Sequence, residues 1–364
     1  MTGRRARSLR IAILASVFAA SAGPRAHATE GSLAPIFGER SFHVLHVPFL
    51  DFGPADPDSP APGRVTARLD AAYASTFSST WHALTIHKAL GRVDRPFAAD
   101  EAAKIHSDFP QDRVFFLESD LLRIAGVARA GLTPTLSVSA ELVWMSHDAI
   151  HGGSAVEAFH RAFGLEQSGR NEFPASSFAV AVQRRGREMT FDDRVPDSGF
   201  GDTTATLSWR PRQSSPWSYG ADAAVKAPTG SARDLDGSGS WDAGALAFAR
   251  RDGRKWTVDG EAGVVVPGRW RSGPRLPVAW FSRVLAGATR SFGSRTRAGV
   301  SATFEQSPFR RDDLGDLSRP GLEIALGVER DLSPRSSAAL TLTENVPSLG
   351  DRADFGLALR LRFR

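Results

Sequence analysis

The sequence predicts an all-β chain, a transmembrane antiparallel up-and-down β-barrel of about 12 strands with one short amphipathic helix in a long loop. Three observations lead there. Segments of about ten residues alternate apolar and polar side chains along most of the chain, and a strand points successive side chains to opposite faces. The connections between those segments are alternately short and long, the pattern of turns and loops in a membrane barrel. The N terminus reads as an export signal, and no later apolar run reaches the roughly 18 residues that a membrane-crossing helix needs.

The export segment is residues 1–28. Arg4 to Arg10 make a cationic start, residues 11–22 make an apolar core, and Ala26-His27-Ala28 is a small-residue cleavage site, so the mature chain is expected to start near Thr29. Read instead as an uncleaved anchor, that core is too short to span a bilayer. Composition then excludes several classes. Of 45 basic residues in 364, five (Arg4, Arg5, Arg7, Arg10 and Arg25) lie in this segment with no acid, and the remaining 40 face 40 acidic residues. A nucleic-acid binder needs a basic excess to displace counterions, and the mature chain has none. The absence of Cys excludes a disulfide scaffold, an iron–sulfur site, a zinc finger, a cysteine nucleophile and a lipidated Cys. No cofactor is expected.

Residues 29–62 come before the first strand. They are rich in Pro, carry Asp51, Asp56 and Asp58, and hold Phe42, Val44, Leu45, Val47, Phe49, Leu50 and Phe52, too many apolar groups for a free linker. Two placements are open. The segment is either a plug folded into the lumen, similar to the N-terminal hatch of fatty-acid channels, or an arm lying against the barrel base.

The barrel itself is expected over 63–364. Alternation is clear over 65–73, 136–144, 203–209, 217–226, 256–264, 296–305, 322–329 and 338–343, and noisier over 114–130, 241–250 and 277–290. Charges in the middle of the polar faces suit a wet lumen. The lumen-facing set read this way is Arg64, Arg68, Glu118, Asp120, Asp202, Lys226, Asp259, Glu261, Arg297, Glu323, Glu329, Arg360 and Arg362. Its mixed signs fit cross-lumen pairs better than a one-sign selectivity ring. In the last segment Phe355, Leu357, Leu359, Leu361 and Phe363 share one face. This resembles the terminal-strand signature that the assembly machinery of bacterial outer-membrane barrels reads, with the departure that Arg364 follows the aromatic.

Five short connections (131–134, 211–216, 251–254, 291–294, 331–335) alternate with six long ones (81–112, 146–199, 228–240, 267–276, 307–319, 346–353). Eleven connections make 12 strands, and an even count puts both termini on one side, the periplasm. Residues 177–192 complicate the count. Read as a hairpin outside the membrane they leave 12 strands, and read as two crossings they make 14. Trp144, Trp241 and Trp280 fall near one end, Trp209, Trp217 and Trp256 near the other, as two interfacial belts would.

The 146–199 connection carries the helix. Ser154 and Glu157 have capping-box spacing, Val156, Phe159, His160 and Phe163 share a face, and Gly164 stops the run. So short a helix must pack on the loops or against the barrel mouth. The run from Ser154 to Leu165, with its Glu157-Ala-Phe-His-Arg-Ala-Phe-Gly-Leu165 core, and Gly169-Arg170 resembles the helical insertion of an uncharacterised proteobacterial outer-membrane barrel family, a domain of unknown function. Ser198-Gly199-Phe200-Gly201-Asp202 and Ala227-Pro228-Thr229-Gly230-Ser231 resemble its strand-opening and loop motifs. The resemblance covers 40–364 and implies an outer-membrane location and no catalytic residue.

Three chemical readings compete with a bland one. His147, Asp148, His151 and His160 could ligate zinc, but no H-E-x-x-H pattern is present. Ser146 beside His147 could serve lipid hydrolysis, but neighbours on a strand point opposite ways. Asp234, Asp236 and Asp242 lack the Glu of a calcium loop. The expected role is therefore a gated or plugged passage for small, hydrophobic molecules in the outer membrane of a Gram-negative bacterium. The alternatives are a non-conducting structural or surface-interaction barrel and, further off, a lipid hydrolase. Expected partners are outer-membrane lipid, the barrel-assembly machinery and a small hydrophobic ligand.

Overall fold

The computed structural model describes residues 37–364 apart from 148–151, 166–168, 175, 212–215, 272–275, 347–349 and 351. The export segment lies outside the described residues. In chain order the elements are β1 (Val65–Ser79), α1 (Trp81–Ala89), α2 (Ala99–Asp108), β2 (Val114–Gly131), β3 (Leu136–Ser146), α3 (Gly153–Phe163), β4 (Ala179–Gln183), β5 (Thr190–Asp192), β6 (Gly199–Phe200), β7 (Thr203–Trp209), β8 (Trp217–Ala227), β9 (Asp242–Asp252), β10 (Trp256–Val266), β11 (Phe281–Phe292), β12 (Thr296–Glu305), β13 (Gly321–Ser333), β14 (Ser336–Asn345) and β15 (Phe355–Phe363).

Twelve of these strands close an antiparallel barrel. Each pairs with its neighbour in sequence, and β1 pairs with both β2 and β15, from Ala67 opposite Phe363 to Ser75 opposite Phe355. Closure removes the exposed edges that an open sheet would present. The strand count turns on β2, which is long enough to be shared. Its stretch from Leu122 to Gly131 pairs with β3, while Val114 to Glu118 pair with β4. The β4–β5 hairpin is thus added to an overhang of β2 beyond the barrel rim, and the fourteen-strand alternative falls. All five short turns gather at one end of the barrel, the turn end, and the long connections at the other, the loop end.

Alternation places the faces. Along β8, Ser218, Gly220, Asp222, Ala224 and Lys226 are buried, while Trp217, Tyr219, Ala223 and Val225 are exposed. Leu326, Val328, Leu340, Leu359 and Phe363 likewise face outward, as a lipid-contacting surface requires. Trp209, Trp217 and Trp256 are exposed near the turn end, and Trp241 and Trp280 near the loop end. Arg251, Arg290 and Arg310 lie over the rings of Trp217, Trp256 and Trp280, a contact suited to an aromatic belt at a polar boundary. Among the described residues no helix is long and apolar enough to cross a membrane.

The first long connection holds two helices, α1 and α2, where the sequence showed only a loop. Their buried faces explain the miss. Of four buried residues in α1 two are His82 and His87, and α2 buries Glu101 beside Ala102 and Ile105, so the apolar stripe at helical spacing is broken. His87 Nδ1 lies 2.7 Å from Glu101 Oε1 with both side chains fully buried. Around them Phe77, Phe97, Phe116 and Phe173 make a core on the outer side of the wall at the loop end.

Candidate functional site: a filled lumen

Residues 37–62 lie inside the barrel. Phe37 packs at mid-height against Gly299 and Gly327, where a Cβ on Gly327 would come within 2.0 Å of its ring. Phe42 then joins Ala72, Ala74, Leu121 and Ala358 of the wall. At the loop end the arm turns over through a short helical turn, and Phe49 meets Trp270, Phe281 and Phe309 with ring centroids 5.0–6.5 Å apart. It then descends past Gly244 and Glu261, and Pro62 bridges Gly131 at the turn end before β1 begins.

An irregular segment buried inside a barrel needs partners for its backbone donors. The wall supplies carboxylates. Leu50 N donates to Asp242 (2.8 Å) and Ala55 N to Glu261 (2.7 Å). Wall arginines hold the arm's acceptors. Arg283 donates to Asp51 (3.1 Å) and to the Glu39 carbonyl (2.8 Å), and Arg210 donates to the Asp56 carbonyl (2.8 Å). Arg360 ties Glu39 (3.1 Å) to Asp70 of β1 (3.0 Å). From the arm, Arg40 joins Arg123 on Glu141, at 2.8 and 2.6 Å. These pairs are buried, so each depends on its partner to offset the loss of water.

The structure places most of the sequence-read lumen charges on the inner face of the wall. Arg68 pairs with Asp70 at 2.9 Å, Arg297 pairs with Glu329 (3.1 Å) and Asp331, and Lys226 sits between Asp202 and Asp242 at the loop end. Asp259 and Glu261 are buried on β10, Glu323 is half-buried on β13, Arg362 is buried on β15, and Arg64 lies exposed at the turn-end rim.

Glu118 and Asp120 are corrections. Register places Glu118 opposite Phe77 and Asp120 opposite Ser75, on the face shared with Leu69 and Ala71, which is the outer one. There the 147–178 segment covers them. Asp120 accepts from Tyr73 Oη (2.9 Å), Ser75 Oγ (2.7 Å), Ser176 Oγ (2.9 Å) and Gly152 N (3.1 Å), and Glu118 accepts from Ser177 Oγ (2.5 Å). Arg170 adds a bond to Ser75 Oγ (2.9 Å) and an ion pair with Asp354 (3.2 Å).

The same contacts relocate α3. It lies on the outer wall rather than on the mouth, with Val156 and His160 buried, Phe159 in ring contact with Phe355 (5.2 Å), and His160 Nε2 3.2 Å from Glu344 Oε1. Phe163, read as part of that buried face, is 70% exposed, because the helix touches the wall along its first two turns only. The expected Ser154–Glu157 box does not form. Gly152 is the N-cap without a side-chain bond, Ser154 is already inside the first turn, and the Asp120 carboxylate meets the free N–H at that end. Gly164 ends the helix at φ 68°.

The chemical readings find little geometry. Ser146 accepts from Ser198, while His147 turns to Ser119 (Oγ–Nδ1 2.9 Å), so Ser146 and His147 make no dyad. Burial pushes His147 down to about 4. Asp148 and His151 lie outside the described residues. Burial, then the Asp234, Asp202 and Asp197 charges, push Asp236 up to about 8, so it keeps its proton at neutral pH and is a weak cation ligand.

The sequence reading did not single out Arg210, Arg283, Glu39 or Arg352. Parity would have found Arg283 on β11, and Arg210, one residue past β7, continues the inward parity of Ser208. Arg352 is in a loop, 1% exposed against His46 and the Glu305 carbonyl, and nothing local marks it. Below the arm, at the turn end, remains a cavity of about 1550 Å³ lined by the arm's descending limb, β1, the turns and β15.

A closed 12-strand barrel with lipid-type outer face, aromatic tiers and charged lumen defines an outer-membrane barrel. The chain belongs to the family described as proteins of unknown function (DUF3187), whose model matches residues 96–364. A comparison with curated proteins gave no match. Among solved structures, the COG4313 outer membrane channel from Pseudomonas putida F1 is 14% identical, with 86% of this chain and 99% of that one covered and a TM-score of 0.52. A NanC porin is 7% identical, covering 67% and 93%, at 0.40, and a TodX mutant, a monoaromatic hydrocarbon channel, is 10% identical, covering 89% and 99%, at 0.38. The first shares the fold.

Proposed function

We propose that the chain is a plugged passage across the outer membrane for small, hydrophobic molecules, with termini and short turns in the periplasm and long loops outside. The observation that carries this reading is the arm. It occupies the lumen above the turn-end cavity and, apart from its own continuation into β1, is held there by ion pairs, backbone bonds to wall carboxylates and an apolar apex at the loop end. A segment retained only by such contacts can be displaced by a ligand that competes for them. The apex offers apolar surface where a hydrophobic molecule would arrive. The shared fold with an outer membrane channel supports the class, and the long-loop and short-turn asymmetry supports the orientation. Residues 1–28 act as the export signal, and Phe355, Leu357, Leu359, Leu361 and Phe363 of the closing strand present the signal to the assembly machinery. No catalytic role is assigned.

The test is single-channel conductance in a planar bilayer, comparing the full chain with a deletion of residues 29–62. Step conductance should rise in the deletion, with the barrel shown folded by its heat-modifiable migration. A folded deletion that conducts no better than the full chain would overturn the plug. A second reading, a barrel that binds partners at its outer surface, is favoured by the α1–α2 module, which has a core of its own.

A further inference from the structure

We infer that the turn-end cavity is an anion-binding vestibule, and that the molecule taken through is an amphipathic organic anion, a carboxylate on an apolar body. This rests on the passage reading and narrows its substrate.

The vestibule's lining among the described residues comprises ten arginines and six carboxylates. Five of the six carboxylates are already engaged, and the sixth, Asp58, lies within electrostatic reach of Arg364 and Arg362. Glu141 is held by Arg40 and Arg123, Asp222 by Arg210, Asp331 by Arg297 and Asp51 by Arg283, while Asp56 lies 3.8 Å from Arg129. The surplus collects in one sector. Arg295 precedes β12, Arg335 lies in the β13–β14 turn, and Arg364 follows β15, and no ion pair reaches any of them among the described residues. Backbone bonds tie the three strand ends together: Asp331 N donates to the Arg295 carbonyl (2.8 Å) and Arg364 N to the Arg335 carbonyl (2.9 Å). Arg362, one residue inward, is buried in the same wall.

Clustered like charges repel, and Asp58 and Asp56 offset only part of this group, so a cavity that keeps the surplus is suited to receive an anion. Guanidinium forks suit a carboxylate in particular, since both oxygens can be bonded at once. The apolar part of the ligand follows from the other end of the lumen. Phe49, Trp270, Phe281 and Phe309 close the loop end, and a small ion would gain nothing from displacing them. A purely apolar molecule would gain nothing from the arginines. One molecule with both parts uses both ends.

The full-length protein in zwitterionic detergent is titrated calorimetrically with benzoate and with benzamide, its uncharged counterpart of nearly the same shape. Benzoate is expected to bind at least about tenfold more tightly at low salt, and less so at high salt. The exposed pair Arg295→Glu/Arg335→Glu should abolish that preference and leave benzamide unchanged, with Arg295→Gln/Arg335→Gln between. Heat-modifiable migration confirms each barrel. Equal binding of the two probes, or a preference that survives charge reversal, overturns the anion assignment while leaving the passage reading to the arm deletion. Binding of neither overturns it as well. An arm deletion that fails to raise conductance defeats the passage reading by itself.

Discussion

The arm (residues 37–62) and the insertion (147–198) both interrupt the strand pattern, yet one lies inside the barrel wall and the other largely outside it. Their compositions do not explain the difference. The wall does. On the inner face Asp242, Glu261, Arg210, Arg283 and Arg360 are set to meet the arm's backbone and acids. On the outer face, beyond the lipid band, Glu118, Asp120, Glu344 and Asp354 meet the insertion. A charge on the outward parity of a barrel strand is costly against lipid, so where one occurs near the loop end it marks a place that another segment covers.

Arg360 offers the largest break in that comparison. It is buried, 5% exposed, and bonded to Glu39 of the arm and Asp70 of β1 together. Arg360→Ala would take the ion-pair partner from buried Glu39 and leave Asp70 with Arg68 as its close counter-charge, a loss of about 3–5 kcal/mol. Urea unfolding in liposomes should show a lower midpoint, and bilayer recordings should show more frequent openings as the arm loosens. Recordings matching the unaltered protein would mean the arm does not depend on this pair.

How much of this was readable beforehand varied with how locally it is encoded. Strand number, both sets of connections and the inward placement of Lys226, Glu261, Arg297 and Arg360 followed from period-two alternation, because lipid on one side and water on the other impose it residue by residue. Glu118 and Asp120 were misplaced since β2 changes surroundings along its length. Below Leu122 it is ordinary wall, and above it both faces are buried, with Phe115 and Leu117 inward and Phe116 outward. Apolar residues on both faces erase the parity. The sequence leaves the arm's location open because its partners are dispersed over most of the barrel strands. Gly299 and Gly327, directly opposed in register, were a usable signal, since two small residues facing one another inside a barrel leave room for a ring such as Phe37.

Asp120 is the corresponding break on the outside. Asp120→Ala removes the acceptor for Tyr73, Ser75, Ser176 and the α3 N terminus at once, leaving buried donors unmet at a cost of about 2–3 kcal/mol. The damage should stay local. Limited proteolysis should cut faster between 147 and 178, while conductance and the unfolding midpoint of the barrel change little. Equal protection of the insertion in this variant would show that α3 is held by Val156 and Phe159 alone.

The smallest effect sharpens the comparison through pH. His147 roots the insertion: its ring turns inward to Ser119 and sits 5.7 Å from Phe178, with burial lowering it to about 4. An unfolded histidine takes its proton near pH 6.5. Between those two values the unfolded segment holds more protons than the folded one, so stability falls as pH falls through this window, by about 2 kcal/mol at pH 5. The loss is present neither above the unfolded value nor in a side chain that does not titrate. Protection factors for hydrogen exchange across 176–183, referred to the intrinsic rate at each pH, should therefore fall from pH 6.5 to 5 in the unaltered protein and less so in His147→Gln, while those of the arm's amides, held by other groups, do not follow the substitution. Identical pH profiles in the two proteins would mean that His147 takes its proton without releasing the insertion.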